Sequence, residues 1–276
     1  MSNGIICFAN NNGSIDYIKQ AIELAYRSKR HLNLPVSLVT STFDKIDLQY
    51  HDVFDKIITI NDAQDNQKRY NDGFGYSQSL HFKNNERHNA YYLSPYDKTL
   101  VLDTDYIICN DNFKHAFDLD YDFQIYKHGV DLCQWRNYSE FDYINDKGIP
   151  FYWATCFYFT KSKENKIFFD LLKHLYDNWK YYSDVYDLGS RNFRNDHLFS
   201  IGIHIMNGFE EGSWTKSLPG KMYYTLDRDV LHKIKDDTLT FLTQKQNITN
   251  EYILSTVKDM NIHVMNKFSL ERHLNV

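Results

Sequence analysis

The sequence predicts an α/β fold, with a mostly parallel, Rossmann-like central sheet flanked by helices in a single domain. Three observations support this prediction. A strand, a glycine-containing loop, a helix and a second strand follow one another in residues 5–40. Residues 99–102 form an apolar run typical of a central strand that is buried on both faces. The chain has 276 residues, 42% of them hydrophobic, which is enough for a substantial core.

The chain begins with a βαβ pattern. Residues 5–9 predict a short buried strand, and the loop after it contains Ser14, which can cap the next helix. Apolar residues then recur at helical spacing over residues 15–28, and a strand is predicted over residues 36–40. This order predicts parallel strands joined by a right-handed crossover.

The ends of the first and third strands supply candidate ligand contacts. In α/β folds the loop after the first strand lies beside a nucleotide, which makes Phe8, Ala9 and Asn10 candidates for cofactor binding. Ending a strand and forming a turn would account for these residues equally well. A third strand, predicted over residues 55–60, leads to Asp62, a further candidate at the same edge.

A polar segment and a helix precede the central strand. Residues 64–85 lack a strong periodicity, and a segment of that length is more often functional or mobile than structural. Residues 85–93 predict a helix that ends before Pro95. Arg87 on this helix is the cation best placed to approach a phosphate or the carboxylates that follow. A surface salt bridge is the alternative role.

The central apolar run ends in Asp103 and Asp105. In an extended strand alternate side chains share a face, so these carboxylates would point the same way, roughly 7 Å apart, with Thr104 turned aside. Two carboxylates at that spacing can share one divalent cation, and charges at the end of a buried run need a partner. We therefore predict a metal and diphosphate site at this strand end.

The bare Asp-x-Asp pattern carries little information in this chain, because aspartate is common in it. The pattern recurs at Asp118/Asp120, at Asp120/Asp122 and at Asp227/Asp229. These repeats lie in polar or mixed segments, where solvated turns are expected. Only the pair at the end of the central strand follows a strong apolar run.

The second half of the chain contains three further predicted elements. Residues 151–159 predict an aromatic strand, and residues 162–182 predict a helix with one apolar stripe. A further helix is predicted over residues 198–206.

Polar residues next to these elements are the remaining candidates. Asn195 and Asp196 precede the last predicted helix, where capping and contact with a substrate are equally reasonable roles. His263 and Lys267 follow a short apolar element near the C-terminus.

The composition of the chain argues against several classes of protein. A formal net charge of −5 and a pI near 6.2 give no electrostatic footprint for non-specific binding to nucleic acid or acidic membranes. The four cysteines form no C-x-x-C and lie mostly in apolar runs, so we expect reduced core residues. No run has the length of a membrane span, and no signal-peptide pattern is seen at the N-terminus. We expect a cytoplasmic protein.

The order of these features resembles the metal-dependent glycosyltransferases of the GT-A fold, especially the glycogenin and bacterial galactosyltransferase-like group and its phage relatives. The chain departs from that group in one respect, because no Gly-x-x-Lys-Pro-Trp string follows the late histidine. The matching parts are residues 94–99 leading into Leu102-Asp103-Thr104-Asp105, the run Trp153-Ala154-Thr155, Asp196 at a helix start, and His263 followed by Lys267.

The resemblance implies a role for each matching residue. Asp103, with Thr104 beside it, would contact the metal and the ribose, and Asp105 would be the main metal ligand. His263 would be the third protein ligand of Mn²⁺ or Mg²⁺, and Lys267 would contact the diphosphate. Asp196, beside Asn195, would hold donor hydroxyls, or act as general base if the reaction inverts the anomeric centre.

The resemblance also implies an overall reaction. Residues 1–276 would form one domain, with a nucleotide-binding half over about 1–110 and an acceptor-binding half with the C-terminal segment over about 111–276. A hexosyl or pentosyl group would move from a nucleotide-sugar donor, a UDP-sugar, to an acceptor such as a polysaccharide or a modified DNA base. The basic and aromatic segment of residues 68–87 would suit either acceptor.

Three other classes remain open on the sequence alone. Phosphohydrolases of the haloacid dehalogenase type also combine an apolar strand with Asp-x-Asp. In them a later aspartate pair follows a strand, whereas Asp236-Asp237 is predicted to follow none. A nucleotidyltransferase would need a Gly-rich, basic phosphate loop near the N-terminus, which this chain lacks. A non-catalytic sugar- or nucleotide-binding module is the third alternative.

Overall fold

Strands and helices alternate through most of the chain. The computed structural model describes residues 1–61, 66–72, 76–134, 141–146, 148–189, 192–245, 251–274 and 276. The strands are β1 (Asn3–Phe8), β2 (Val36–Thr40), β3 (Lys56–Thr59), β4 (Asn66–Asp72), β5 (Tyr76–Phe82), β6 (Lys98–Leu102), β7 (Tyr106–Ile107), β8 (Phe123–Ile125), β9 (Gly129–Asp131), β10 (Cys156–Thr160), β11 (Met222–Thr225), β12 (Leu231–Lys235), β13 (Thr238–Gln244), β14 (Tyr252–Lys258) and β15 (Ile262–Val264). The helices are α1 (Tyr17–His31), α2 (Ala90–Leu93), α3 (Lys163–Asp177), α4 (Trp179–Val185), α5 (Asn195–Met206) and α6 (Lys267–Glu271).

A six-stranded sheet in the order β3-β2-β1-β6-β10-β8 forms the centre of the fold. The first four strands are parallel, with Ile5 of β1 registered against Val36 and Leu100, and β10 is antiparallel to both of its neighbours. Alternate residues of β1 enter different cores. Ile5 belongs to the core on the α1 side, whereas Ile6 belongs to the core with α3 and α5. The predicted α/β class, with a mostly parallel central sheet flanked by helices, is confirmed.

The start of α1 differs from the prediction. Asp16, not Ser14, caps the helix, since its Oδ1 accepts a hydrogen bond from the Lys19 N–H at 2.9 Å. The N–H groups of Ser14 and Ile15 instead donate to Oδ1 of Asn12, at 3.1 and 2.9 Å, in a turn before the helix.

The polar segment before the central strand contains regular structure that the sequence did not predict. β4 and β5 pair as an antiparallel hairpin, with Asn66 opposite Phe82. The hairpin is tied to the rest of the fold by Asn66 Nδ2, which donates to Phe193 O at 2.9 Å, and by Asn12 Nδ2, which donates to His81 O at 2.8 Å. The strands are mostly polar, so they lack the alternation of apolar residues that would mark them as strands.

Three other predicted elements differ in extent. The strand predicted over residues 151–159 begins only with β10. The helix predicted over residues 162–182 is divided at Asn178, whose backbone leaves the helical region, into α3 and α4. Residues 85–93 form a 3₁₀ turn (Glu86–Asn89) followed by the short α2.

A second sheet brings the C-terminal region to the end of β6. Its order is β7-β15-β11-β9, and β15 is antiparallel to β7, with His263 opposite Tyr106. The N–H of Val264 donates to the carbonyl of Asp105 at 2.9 Å. Strands β12, β13 and β14 form a third, antiparallel sheet.

The cysteines agree with the expectation from composition. All four cysteines are buried and unpaired. Within the described ranges, no helix combines the length and the apolar character that crossing a membrane requires.

Candidate active site

Asp103 and Asp105 lie in a turn between β6 and β7, not within an extended strand as predicted. The turn is fixed by the Asp103 N–H, which donates to Thr155 O at 2.9 Å. The Thr104 hydroxyl donates to Gln20 Oε1 at 3.3 Å and so anchors the turn to α1. The turn replaces the strand alternation, and it still brings the two carboxylates to one site.

Arg87 forms a buried ion pair with Asp103. The Asn195 amide lies against the same guanidinium. With the amide oxygen facing Arg87, Nη1 donates to it at 2.7 Å, and the amide nitrogen donates to Asn85 O at 3.1 Å. The structure therefore fixes Arg87 between a carboxylate and an amide.

Asp105 receives two partners from the C-terminal region. His263 Nε2 lies 3.0 Å from Oδ2 of Asp105, and the Lys267 ammonium pairs with the same oxygen. The Lys267 ammonium also donates to Met265 O at 3.1 Å. The His263 ring stacks on Tyr106, with ring centroids 4.9 Å apart and planes 11° apart.

The surroundings of the two carboxyl groups shift their pKa values in opposite directions. Burial raises the pKa of Asp103. The positive charge of Arg87 opposes this rise, and the negative charge of Asp105 increases it. Burial also disfavours ionisation of Asp105, but His263 and Lys267 outweigh it and hold the pKa of Asp105 well below its usual range. Burial alone would lower the pKa of Lys267, but Asp105 raises it. Asp105 and Lys267 are therefore a charged pair.

Asp103, Asp105 and His263 form a group that could hold a metal ion. One ligand atom from each, two carboxylate oxygens and an imidazole nitrogen, lies within 4.8 Å of the other two. This donor set suits a divalent cation. His263 can present Nε2 to a cation only with its proton on Nδ1, an atom that is buried without a hydrogen-bond partner in the described part of the chain.

These residues lie in the wall of a cavity of about 590 Å³. The described residues that line it include residues from the ends of β1 and β6, the hairpin β4–β5, the start of α5 and the C-terminal region. Four of them are basic and four are acidic, so their formal charges cancel when the histidines are neutral. The basic residues are Lys68, Arg87, Arg194 and Lys267, and the acidic residues are Asp103, Asp105, Asp196 and Asp227.

Of the three ligand contacts predicted at the end of the first strand, one lines the cavity and two do not. Phe8 lines the cavity, whereas Ala9 and Asn10 are buried beside it. Asn10 is part of the scaffold, because its N–H donates to Asn84 Oδ1 at 2.7 Å and its Oδ1 accepts from the Ser41 N–H at 2.6 Å. The predicted contact Asp62 lies outside the described residues.

Asp196 lies at the start of α5 and lines the cavity. Its Oδ1 accepts a hydrogen bond from the Ala154 N–H at 3.0 Å, and its Oδ2 lies 3.3 Å from Nη2 of Arg194. The next residue, His197, also lines the cavity, and burial lowers its pKa to about 4, with Arg194 adding to the effect. His197 is therefore neutral near pH 7.

Sequence reasoning missed Asp227 in this site. Its Asp-x-Asp repeat was expected to be a solvated turn; in the structure Asp227 lines the cavity, and its Oδ1 accepts from Asn266 Nδ2 at 3.2 Å. The signal that could have found it is its place two residues after the end of β11 at Thr225. Lys68 also lines the cavity.

Asp237 belongs elsewhere in the fold. It forms ion pairs with Arg27 at 3.6 Å and Arg30 at 3.3 Å and lies 2.9 Å from Nε2 of His31, and these contacts tie it to the end of α1. The expectation that no strand precedes Asp236-Asp237 is wrong, since β12 ends immediately before it. The ion pairs with α1 give Asp237 a structural role.

Comparison with known proteins gives matches among solved structures alone. No protein-family profile matches the chain, and no curated protein matches it. One solved structure is the glycosyltransferase GlyE of Streptococcus pneumoniae TIGR4, with 16% identity and a TM-score of 0.41, covering 79% of this chain and 45% of GlyE. The chain thus spans less than half of GlyE.

Two further matches are structures of the galactosyltransferase LgtC, both with 14% identity and a TM-score of 0.42. The first is an active-site mutant, and the alignment covers 69% of its chain. The second is a complex with donor and acceptor sugar analogues, and the alignment covers 70% of its chain. Each alignment covers 72% of the present chain. These matches are glycosyltransferases, the class that the sequence resembles, at an identity and a TM-score too low to say what this chain transfers.

Proposed function

We propose that this chain is a glycosyltransferase that moves a sugar from a nucleotide-sugar donor, a UDP-sugar, to a hydroxyl-bearing acceptor. The observation that carries the proposal is the convergence of Asp103, Asp105 and His263 with two cationic side chains, Arg87 and Lys267, in the wall of one cavity of about 590 Å³. A cluster of cation ligands beside basic groups is the chemistry that a diphosphate requires.

The reaction breaks the bond between the anomeric carbon and a diphosphate oxygen, and it forms a bond from that carbon to an acceptor oxygen, which loses its proton. The leaving nucleoside diphosphate gains negative charge. Arg87 and Lys267 would donate charge-assisted hydrogen bonds to it. A divalent cation, Mn²⁺ or Mg²⁺, held by Asp103, Asp105 and His263 would supply further positive charge to the same phosphates.

The other candidate residues receive roles from their positions. Asp196, fixed at 3.0 Å from the Ala154 N–H, would orient hydroxyl groups of the donor or act as general base in an inverting reaction. Asn195 would hold Arg87 in place. Phe8 at the end of β1 would contact the nucleotide, while Ala9 and Asn10 follow it and support that strand end.

A thermal-shift assay with UDP-sugars, in the presence and absence of Mn²⁺, tests the proposal. We expect a shift that requires Mn²⁺, because a ligand that binds the native state raises its stability by mass action. The shift should disappear in Asp105→Ala and in the isosteric Asp105→Asn. Asp120→Ala, in an exposed Asp-x-Asp repeat, is the matched control and should keep it. An undiminished shift in both Asp105 variants would refute the proposal.

A further inference from the structure

A second, smaller cavity of about 190 Å³ lies near the opposite end of the central sheet from the candidate active site. Its lining includes Phe123, the first residue of β8, which is registered through Phe159 of β10 against Thr99 near the start of β6. The candidate active site instead follows the end of β6, at Asp103. Among the described residues, the two cavities share no lining residue. The smaller cavity is therefore a separate feature of the surface.

Aromatic rings form one part of the wall of this smaller cavity. Trp214 packs on Phe123, with ring centroids 5.1 Å apart and planes 26° apart, and Tyr121, 43% exposed, also lines the cavity. Backbone hydrogen bonds hold this wall against β8, because the Lys216 N–H donates to Phe123 O at 3.3 Å and the Ile125 N–H donates to Lys216 O at 2.9 Å. The cavity therefore presents a preformed apolar surface.

Asn165 supplies a buried hydrogen-bond acceptor to the same cavity. The residue is 0% exposed, and its Nδ2 donates to Asp122 O at 2.8 Å and to Thr160 O at 3.0 Å. These two carbonyls fix the orientation of the amide. Its Oδ1 receives no hydrogen bond from any residue that the structure describes. Because a buried acceptor without a partner is costly, a ligand that donates a hydrogen bond to this oxygen is favoured.

The charged residues of the cavity indicate the chemical class of the ligand. Asp122 and Glu164 supply two carboxylates and Lys216 supplies one ammonium group, which gives a formal net charge of −1. This charge disfavours phosphates and other anions. A cationic ligand would compete with Lys216 Nζ, which already lies over the Tyr121 ring at 5.9 Å from its centroid. An uncharged ligand that combines an apolar face with hydroxyl groups fits instead.

We propose that this cavity is a carbohydrate-binding site that holds one sugar unit of a glycan. The apolar face of the sugar would stack on the aromatic wall, and its hydroxyl groups would donate to Asn165 Oδ1 and to the carboxylates of Asp122 and Glu164. Lys216 would donate to a further hydroxyl oxygen. The inference goes beyond the proposed function, because this cavity contains none of the candidate metal ligands. Taken with the proposed function, it would hold a polysaccharide acceptor on the protein between transfers.

Saturation-transfer difference NMR measures sugar binding directly. The probes are maltotetraose, chitotetraose and galactotetraose, in a buffer that contains EDTA and no nucleotide, so that a metal and a donor play no part. We expect one of these oligosaccharides to bind the wild type. Tyr121→Ala should weaken its binding about fivefold or more, because a ring that stacks on the sugar is lost. Tyr181→Ala, which removes a tyrosine that is 66% exposed on α4, is the matched control and should bind as the wild type does.

Tryptophan fluorescence locates the bound sugar. Of the tryptophans that the structure describes, Trp214 lines this cavity and Trp153 lines the larger one. The change in emission on addition of the oligosaccharide should be lost in Trp214→Phe and kept in Trp153→Phe. Phenylalanine keeps an aromatic ring against Phe123, so Trp214→Phe tests the position of the sugar with little loss of packing.

The outcomes separate this inference from the proposed function. Failure of all three oligosaccharides to bind the wild type would overturn the inference. Equal binding by the wild type and Tyr121→Ala would place the sugar elsewhere and would also overturn it. Either result leaves the proposed function standing, because the Mn²⁺-dependent shift with UDP-sugars decides that question. Conversely, Asp105→Asn should lose that shift and still bind the oligosaccharide as the wild type does.

Discussion

His88, the residue that follows Arg87 in the chain, is buried. Its ring stacks on Tyr176, with centroids 4.0 Å apart, and its Nδ1 lies 3.2 Å from Asn85 O. Burial lowers the pKa of His88 to about 4, although the Asn85 carbonyl opposes the shift. The folded chain therefore holds this ring neutral at pH values where an unfolded chain, with a pKa near 6.5, takes up a proton.

This difference predicts a loss of stability in acid. Because the unfolded state binds the proton more tightly, the contribution of His88 is complete above pH 6.5 and falls as the pH drops toward 4. Urea unfolding measures how far the free energy of unfolding falls as the pH drops from 6.5 toward 4. We expect this fall to be about 2–3 kcal/mol smaller in His88→Phe than in the wild type. His115→Gln, which changes an exposed histidine, should leave the slope unchanged. Equal slopes in wild type and His88→Phe would contradict the prediction.

Asn195 supports Arg87 and carries the second residue-level prediction. Asn195→Ala would leave Arg87 Nη1 and Asn85 O without their buried partner. We expect the free energy of unfolding to fall by about 1–3 kcal/mol, the usual cost of an unsatisfied buried polar group. Asn178→Ala, which removes an exposed amide at the end of α3, should cost about 0.5 kcal/mol or less. Urea titration monitored by circular dichroism measures both changes.

The residues of the site differ in how far the sequence could predict them. Asp103 and Asp105 could be found, because they directly follow a continuous apolar run. His263 and Lys267 could not be derived from local pattern, since they meet Asp105 across 158 and 162 residues of chain, and only the family resemblance pointed to them. Asp227 shares the cavity although its own segment is polar.

At the scale of elements, the apolar periodicity of the sequence predicted the strands and the helix that pack in the core. β1, β2, β6 and α1 bury most of their residues, and each was predicted from that pattern. The hairpin β4–β5 was missed because its strands are mainly polar and are held by pairing with each other. The start of α1 moved because the Asp16 side chain makes its cap.

The junction of β1 with the segment before β6 gives an element-level prediction. A Cβ at Gly4 would lie 2.4 Å from Cζ of the buried Tyr96 ring. Tyr96 cannot easily move, since its hydroxyl shares a hydrogen bond of 2.7 Å with Ser37 and donates to Asp55 at 3.1 Å. We expect Gly4→Ala to lower the free energy of unfolding by about 1–3 kcal/mol, the cost of overpacking. Asn3→Ala, at an exposed position of the same strand, should change little, and equal effects in urea titration would contradict this account.

At the scale of the whole molecule, the site is shared between the two proposed halves. Asp103, Asp105 and Arg87 come from residues 1–110, whereas His263 and Lys267 come from the region beyond. The strand pair β7–β15 joins these regions directly. The six-stranded sheet is shared in the same way, because β10 and β8 complete a sheet begun by β1, β2, β3 and β6. Neither half alone supplies the group of Asp103, Asp105 and His263.

This sharing predicts that the chain unfolds in one transition. All four tryptophans lie beyond residue 110, so their fluorescence reports on the second half, whereas far-ultraviolet circular dichroism reports on the helices and strands of both. If the central sheet couples the halves, the two signals should give the same urea midpoint, as expected for a single cooperative unit. A lower fluorescence midpoint would instead mean that the second half opens by itself, and the proposal of a single domain would fail. Saturating Mn²⁺ and UDP should move both midpoints upward together, because the ligand pair bridges residues from both halves.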